Sequence, residues 1–361
     1  MSNQPGRKLV VCADGTWNPV EKTKEGVFIS TNVSKLAASL ARHDQHGREQ
    51  ILRYFEGVGT NPEEKVGGGA FGYGLSDTIV RAYEFLVDTY EPGDTLHFFG
   101  FSRGAYTVRS LAGMLARSGL LRRSAKDRLQ EAFALYRSRA KDDYTDHVKT
   151  RVFRQMYSRE VDVEFIGVWD TVGSLGIPFI RYKIAQLLGY EWQFHDVELG
   201  PHIRHACHAL AIHERRSKFR PSVWQKPVDR TNQTLEQVWF CGAHGDVGGG
   251  YAESDHSDVT LAWMIERASD PMRGGLAFRP TWKADAGWRG EAARLPFHSE
   301  FKGFFRILDW LAGFKSGTMR EFNKAAIPDY ETCEEIHPTV AQRRANPING
   351  DFWPPTFDPA P

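Results

Sequence analysis

An α/β fold, with a mostly parallel central sheet flanked by helices and inserted loop or helical cap regions, is what this sequence predicts. Three observations carry that prediction. Short apolar runs of strand length alternate with longer segments whose apolar residues recur at helical spacing. Several of the runs end in clusters of glycine and polar residues, where an open α/β sheet holds its ligands. Between Asp94 and Arg109 the chain reads DTLHFFGFSRGAYTVR, which is a strand, a sharp turn and a helix in immediate succession.

Taken in order, Lys8 to Ala13 is a buried strand ending in Asp14-Gly15-Thr16-Trp17-Asn18. Thr31 or Asn32 caps a helix with Val33, Leu36, Ala37 and Leu40 on one face, and Ile51 to Phe55 is a second strand. The glycine-rich stretch from Gly57 to Gly74 lacks the Gly-Lys-Ser/Thr ending of a phosphate loop, so it is read as a rim loop. A helix follows from Leu75 to Tyr90, and Pro92-Gly93 ends it. Thr95 to Phe99 is the next strand, Gly100 to Gly104 the turn, and Arg103 to Ala116 a helix. Arg122 to Ser158 is highly charged, with Leu129, Phe133 and Tyr136 marking a surface helix.

Val161 to Val168 becomes apolar as a further strand and ends in Trp169-Asp170-Thr171. Residues 175–201 read as an insertion over the sheet edge, and His205 to His213 as a helix or buried segment. Gln237 to Cys241 is the last clear core strand, followed by Gly242-Ala243-His244-Gly245-Asp246 and a helix from Asp258 to Ala268. Beyond Ser269 the composition turns to Pro, Gly, Trp and charge. There Phe301, Phe304, Phe305, Leu308, Leu311 and Phe314 share one helical face, which either packs on the core or meets a membrane surface.

With 361 residues, 41% of them hydrophobic, the chain can bury one large core; the expectation is a single domain over 1–361, with its core at about 8–268 and an extension from 269 packed on it. The 46 basic residues are balanced by 45 acidic ones, so no nucleic-acid partner is expected. Cys12, Cys207, Cys241 and Cys333 are scattered without paired spacing, which argues for neither a disulfide framework nor a zinc site. The polar MSNQPGRK runs directly into LVVCAD, too short for a signal peptide, and no apolar run reaches membrane-spanning length. A cytoplasmically made protein is expected, and secretion that bypasses signal peptides is left open, as is the oligomeric state.

The chemistry gathers at strand ends. Ser102, between two glycines in a strand-to-helix turn, has the position of a nucleophile, and the following Arg103 amide lies at a helix start where it can donate to an oxyanion. The amides of Gly15 or Thr16 are candidate second donors. Asp170 and His244 follow later strands, giving the order Ser, Asp, His of an α/β hydrolase. A neutral serine holds its proton too tightly to attack a carbonyl, so His244 takes that proton while Asp170 orients the imidazole. Asp246 competes with Asp170 as the acid, and His337 with His244 as the base; His97 reads as a packed strand residue. His202, His205, His208 and His213 lack the carboxylate or cysteine partners of a metal set, so neither metal nor cofactor is expected.

The motifs DGTWN, Thr31-Asn32, GVGT, AYEFLVDTYEPGDTLHFFGFSRGAYTVRSLAGML, GVWDTVGSLG and WFCGAHGDVGGGY, spread over roughly residues 8 to 265, together resemble an α/β-hydrolase family. Its best-known members are the catalytic domains of type VI secretion phospholipase effectors. The resemblance implies a serine hydrolase of carboxylic esters, with a small-molecule or lipid ester as substrate and peripheral membrane contact in the effector members. It places the nucleophile on Ser102, the acid on Asp170 and the base on His244. Two other readings stay beside it: a metal-dependent phosphatase or phosphodiesterase using Asp14, and a non-catalytic interaction protein on a hydrolase scaffold.

Overall fold

The structure is a computed structural model that describes residues 6–15, 23–24, 27–57, 70–138, 144–172, 197–285, 296–298, 319–322, 328–348 and 351–357. A seven-stranded sheet forms its centre: β1 (Lys8–Ala13), β2 (Gln50–Phe55), β3 (Thr95–Phe101), β4 (Val163–Trp169), β5 (Ile203–Ala211), β6 (Thr234–Phe240) and β7 (Glu334–Ile336). The strands lie in the order β7-β6-β5-β4-β3-β1-β2, and every neighbouring pair is parallel. The chain steps from β1 outward to β2, then crosses back over β1 to β3. That reversal opens a crevice between the carboxyl ends of β1 and β3, where such sheets bind ligands.

Parallel strands need crossover helices, so both faces of this sheet are covered and its central strands carry near-continuous apolar runs. All six residues of β1 are buried. Successive side chains alternate between two cores. Leu9, Val11 and Phe98 face α2 (Ala70–Thr89) and α3 (Arg103–Ser118), which contribute Ile79, Tyr83, Leu86, Val108 and Leu111. On the other face Val10, Cys12, Phe99 and Phe165 meet Val33 and Leu36 of α1 (Asn32–Ser39) and, from further along the chain, Leu261, Met264 and Ile265.

Thr31 caps α1 as predicted: its hydroxyl accepts from the Ser34 amide while the Ser34 hydroxyl accepts from the Thr31 amide. The charged segment after α3 forms two helices, α4 (Leu129–Arg137) and α5 (Tyr144–Tyr157). Beyond β6 come a single-turn α6 (His244–Gly248), α7 (Asp255–Ser269), which supplies the Leu261 to Ile265 contacts, and α8 (Pro338–Ala345).

Three expectations are corrected. His205 to His213 is largely strand β5, buried from Ala206 onward, because a strand enclosed on both faces shows no alternation to distinguish it from a buried helix. Gln237 to Cys241 is not the last strand, since the short β7 pairs with β6 from the far end of the chain. Helix α2 begins at Ala70, inside the expected rim loop. The remainder of that loop at 58–69, residues 175–196 of the insertion expected at 175–201, and the apolar stripe at 301–314 lie outside the described residues.

Candidate active site

At the end of β3 the backbone of Ser102 turns to φ 56°, ψ −118°, a conformation costing a non-glycine residue about 1–3 kcal/mol. The flanking glycines make the turn feasible. A Cβ on Gly100 would stand 2.5 Å from the Gly104 carbonyl oxygen, and one on Gly104 would stand 2.0 Å from the Ala13 carbonyl oxygen. Helix α3 can therefore start directly against the ends of β3 and β1. The Ser102 amide donates to the Trp169 carbonyl at 3.0 Å, fastening the turn to the end of β4.

Asp170 follows Trp169 and is itself held at φ 39°, with its amide donating to the Ala209 carbonyl at 2.7 Å. Its carboxylate is fully buried and fully engaged. One oxygen accepts from the Ala211 amide at 3.1 Å and from Arg320 Nη1; the other pairs with His244 Nδ1 at 2.6 Å and with Arg320 Nη2 at 3.0 Å. Burial opposes the charge, but the Arg320 cation and the His244 hydrogen bond outweigh it and hold the carboxyl well below the usual range. With Asp170 ionised, Nδ1 of His244 carries the proton and donates, which leaves Nε2 with its lone pair. Thr171 is fixed in turn by donating its amide to Nε2 of the buried His208 at 3.1 Å.

His244 opens α6 and is held on several sides. The ring of Phe101, the residue before Ser102, lies 4.6 Å away between centroids, and Phe219 approaches edge-on at 5.0 Å. The His244 amide donates to Glu214 Oε2 at 3.3 Å, and Glu214 forms a buried ion pair with Arg216 at 2.7 Å. Burial lowers the imidazole pKa, Asp170 raises it, Arg216 lowers it further, and the net direction is down. The ring is therefore neutral at neutral pH, as a general base has to be. Asn32 ties this region to the helices: its side-chain amide donates to the carbonyls of Val247 and Ser257 at 2.9 and 2.8 Å.

The competing residues are otherwise engaged. Asp246 accepts from the Ala243 amide at 2.9 Å, capping its own helix, and pairs with His298 Nδ1 at 2.6 Å. His337 caps α8 and stacks on Phe240 with centroids 4.5 Å apart. His97 is buried with Nε2 2.9 Å from the Gly274 carbonyl oxygen. His205 and His208, three apart on a strand, face opposite sides of the sheet and cannot share a metal. Among the described residues no group of three or more His, Cys, Asp or Glu side chains could hold one.

At the end of β1 the Asp14 carboxyl accepts from Tyr54 Oη at 2.6 Å, from the Thr31 hydroxyl and from the Gly15 amide at 2.6 Å. Burial pushes its pKa up to about 6 despite those donors. The Gly15 amide, expected as a second oxyanion donor, is thus directed at Asp14, in the manner of a turn residue binding its own backbone. Thr16 lies outside the described residues. The Arg103 amide is the first of α3, immediately after Ser102.

Residues 7–267 match the family model described as the T6SS phospholipase effector Tle1-like catalytic domain. The chain belongs to this family. The uncharacterized protein YEL023C of Saccharomyces cerevisiae is 29% identical over 237 residues, which is 60% of this chain and 32% of that one. The chain thus spans about a third of the length of the curated relative it matches. A crystal structure of an uncharacterized protein from Pseudomonas aeruginosa aligns with a TM-score of 0.49 at 18% identity, covering 86% of this chain and 51% of the other. No helix among the described residues of the Tle1-like chain is long and apolar enough to cross a membrane.

Sequence reasoning missed four contributors to this edge. Arg320 comes from a Gly- and charge-rich stretch without periodicity, 150 positions from its partner Asp170. Glu214 and Arg216 form an acid–base pair two residues apart, a spacing too common in loops to signal anything. Tyr54 had a local sign, a phenol at the end of a strand next to the one carrying Asp14.

Proposed function

We propose that the chain is a serine hydrolase that cleaves carboxylic esters, phospholipids among them, through an acyl-enzyme. Ser102 is the nucleophile, His244 the base and Asp170 the acid that orients it. The single observation that carries this reading is the 2.6 Å contact between Asp170 and His244 Nδ1 on the sheet edge where the strained Ser102 turn ends. In the first half-reaction Nε2 of His244 takes the Ser102 proton as Oγ bonds to the ester carbon. The carbonyl oxygen becomes an oxyanion facing the Arg103 amide. The same proton then passes to the departing alcohol as the carbon–oxygen bond breaks. In the second half-reaction water repeats the attack and releases the acid. The family's description supports lipid as the ester, and phospholipid is the substrate class proposed here for this site.

The test is Ser102→Ala assayed on short p-nitrophenyl esters and a phospholipid panel, beside labelling by a fluorophosphonate probe. Hydrolysis is expected to fall by about 10⁴-fold or more, with labelling abolished. Wild-type turnover and labelling in the variant would overturn the assignment.

A further inference from the structure

A second histidine–carboxylate pair lies behind the helix that opens with His244. Helix α6 has only five residues, His244–Gly248, far below the length at which a helix is stable alone. Its first amides have no partners within the turn and have to be fastened from outside it. Glu214 takes the His244 amide, and Asp246 reaches back to the Ala243 amide at 2.9 Å, which is one half of a capping box. Alanine has no hydroxyl to supply the other half. The placement of His244 therefore depends on where the Asp246 carboxylate is held.

That carboxylate is buried, and a residue beyond the family match holds it. His298 Nδ1 lies 2.6 Å from Oδ1 of Asp246, and the His298 amide donates to Oδ2 at 3.0 Å, the oxygen that also takes the Ala243 amide. With a carboxylate as its acceptor, Nδ1 is a protonated nitrogen. The bond to Asp246 keeps the imidazole pKa above its ordinary value against partial burial. Nε2 stands 3.6 Å from Glu253, and the Tyr251 ring stacks on the imidazole with centroids 3.9 Å apart.

The same short segment ties into the start of α6 by other routes. A Cβ on Gly245 would stand 2.6 Å from Tyr251 Cε2, so the ring stacked on His298 also lies against the helix backbone. Phe297 stacks on His213 at 4.2 Å, and His213 Nδ1 accepts from the Gly242 amide at 2.9 Å. Proton transfer tolerates little displacement, since a misplacement of ~1 Å can cost about 10²-fold in rate.

We propose that His298 is a positioning residue for the ester chemistry, setting His244 through Asp246 and the Ala243 amide. The inference rests on the serine-hydrolase reading of Ser102 and His244. It adds to that reading a second histidine that touches neither the substrate nor the reacting atoms.

Full chains carrying His298→Asn, His298→Gln and His298→Ala are assayed on a short p-nitrophenyl ester. Active sites are counted by the end point of fluorophosphonate labelling, so that unfolded protein drops out of kcat. Asparagine can place its amide nitrogen where Nδ1 stands, whereas glutamine reaches the place of Nε2. His298→Asn is expected to stay within about threefold of the wild-type kcat, and His298→Gln and His298→Ala to lose about 10-fold or more, with KM within about twofold in all three. A purely structural contact would lower the number of labelled sites and leave kcat per site intact. Wild-type kcat per site in His298→Gln and His298→Ala overturns the proposal. So does a His298→Asn chain no faster than His298→Gln, a comparison that stands even where the alanine variant fails to fold. Either result removes this inference alone, whereas hydrolysis and labelling that persist in Ser102→Ala remove the serine-hydrolase reading and this inference with it.

Discussion

Asp170 has two partners competing for one negative charge. Arg320 reaches both of its oxygens, and His244 holds one of them at 2.6 Å. A carboxylate shared in this way orients the imidazole while stabilising the imidazolium less than an unshared one would. The neutral ring is the favoured form, which agrees with the downward direction of the His244 pKa. The acid limb of kcat/KM should therefore fall below the ordinary imidazole value of ~6.5. Replacing Arg320 with alanine leaves the whole Asp170 charge to the imidazolium, so His244 becomes more basic and the limb moves to higher pH. Arg320→Lys should move it part of the way back. A hydrogen-bonded buried charge pair is also a structural contact, and its loss should cost about 1–3 kcal/mol in urea unfolding. The pH profile distinguishes the two effects, because a purely structural role lowers stability and leaves the limb in place. Asp170→Asn acts differently, since a neutral amide can select the wrong tautomer and leaves Arg320 buried beside no anion; activity should drop by up to ~10⁴-fold.

At the scale of elements, the turn between β3 and α3 depends on backbone proximity. A methyl group at Gly104 would come within 2.0 Å of the Ala13 carbonyl oxygen, and no side-chain adjustment can relieve a clash with a main chain on a buried strand. Gly104→Ala should therefore destabilise by about 1–3 kcal/mol and shift Ser102, so that fluorophosphonate labelling slows even in the folded fraction. At Gly248 the added methyl meets the Phe101 ring, which can move only by disturbing its packing on His244. There the expected loss is of rate more than of stability. Elements of this kind were legible in the sequence because their chemistry is local: glycines two positions either side of a serine, a Thr-Asn pair before an amphipathic run, a polar cluster at a strand end. The illegible parts have equally physical reasons. Strand β5 carries His208 within an otherwise apolar run from Ala206 to Ala211, and burial on both faces there removed the period that separates strand from helix. Strand β7 is three residues, Glu334-Glu335-Ile336, none of them buried, and only its hydrogen bonds to β6 define it. Arg320 belongs to no pattern at all, because a buried ion pair across 150 positions leaves no trace in either neighbourhood.

For the molecule as a whole, the family match ends at residue 267, but contacts to the core continue past it. Gln50 bonds the Ala277 carbonyl at 2.8 Å, His97 meets the Gly274 carbonyl at 2.9 Å, and Phe357 packs on Trp239 with ring centroids 4.9 Å apart. A chain truncated at 267 would lose those contacts together with Arg320, and is expected to be less stable and less active than the full chain.

The buried histidines set the pH response of the same core. His97, His208 and His213 are each pushed down to about 3, first of all by burial. In the unfolded chain they bind protons at ~6.5, whereas in the folded chain they stay neutral until about 3. The unfolded state therefore holds more protons throughout that window, and stability falls as the pH drops from ~6.5 towards 3. Asp14 acts with the opposite sign: its folded value of about 6 exceeds the ordinary ~3.9, so between the two the folded state takes up the extra proton. His205, His244 and His337 are lowered too, while Glu164, Asp258 and His298 are raised alongside Asp14, so the lowered imidazoles remain the larger set. The melting temperature measured by calorimetry should accordingly decline from about pH 7 to about pH 5. His97→Gln keeps a donor for the Gly274 carbonyl and removes one titrating group, so it should make that decline shallower. A melting temperature that holds constant or rises over the interval would show that these imidazoles take up protons without unfolding the core.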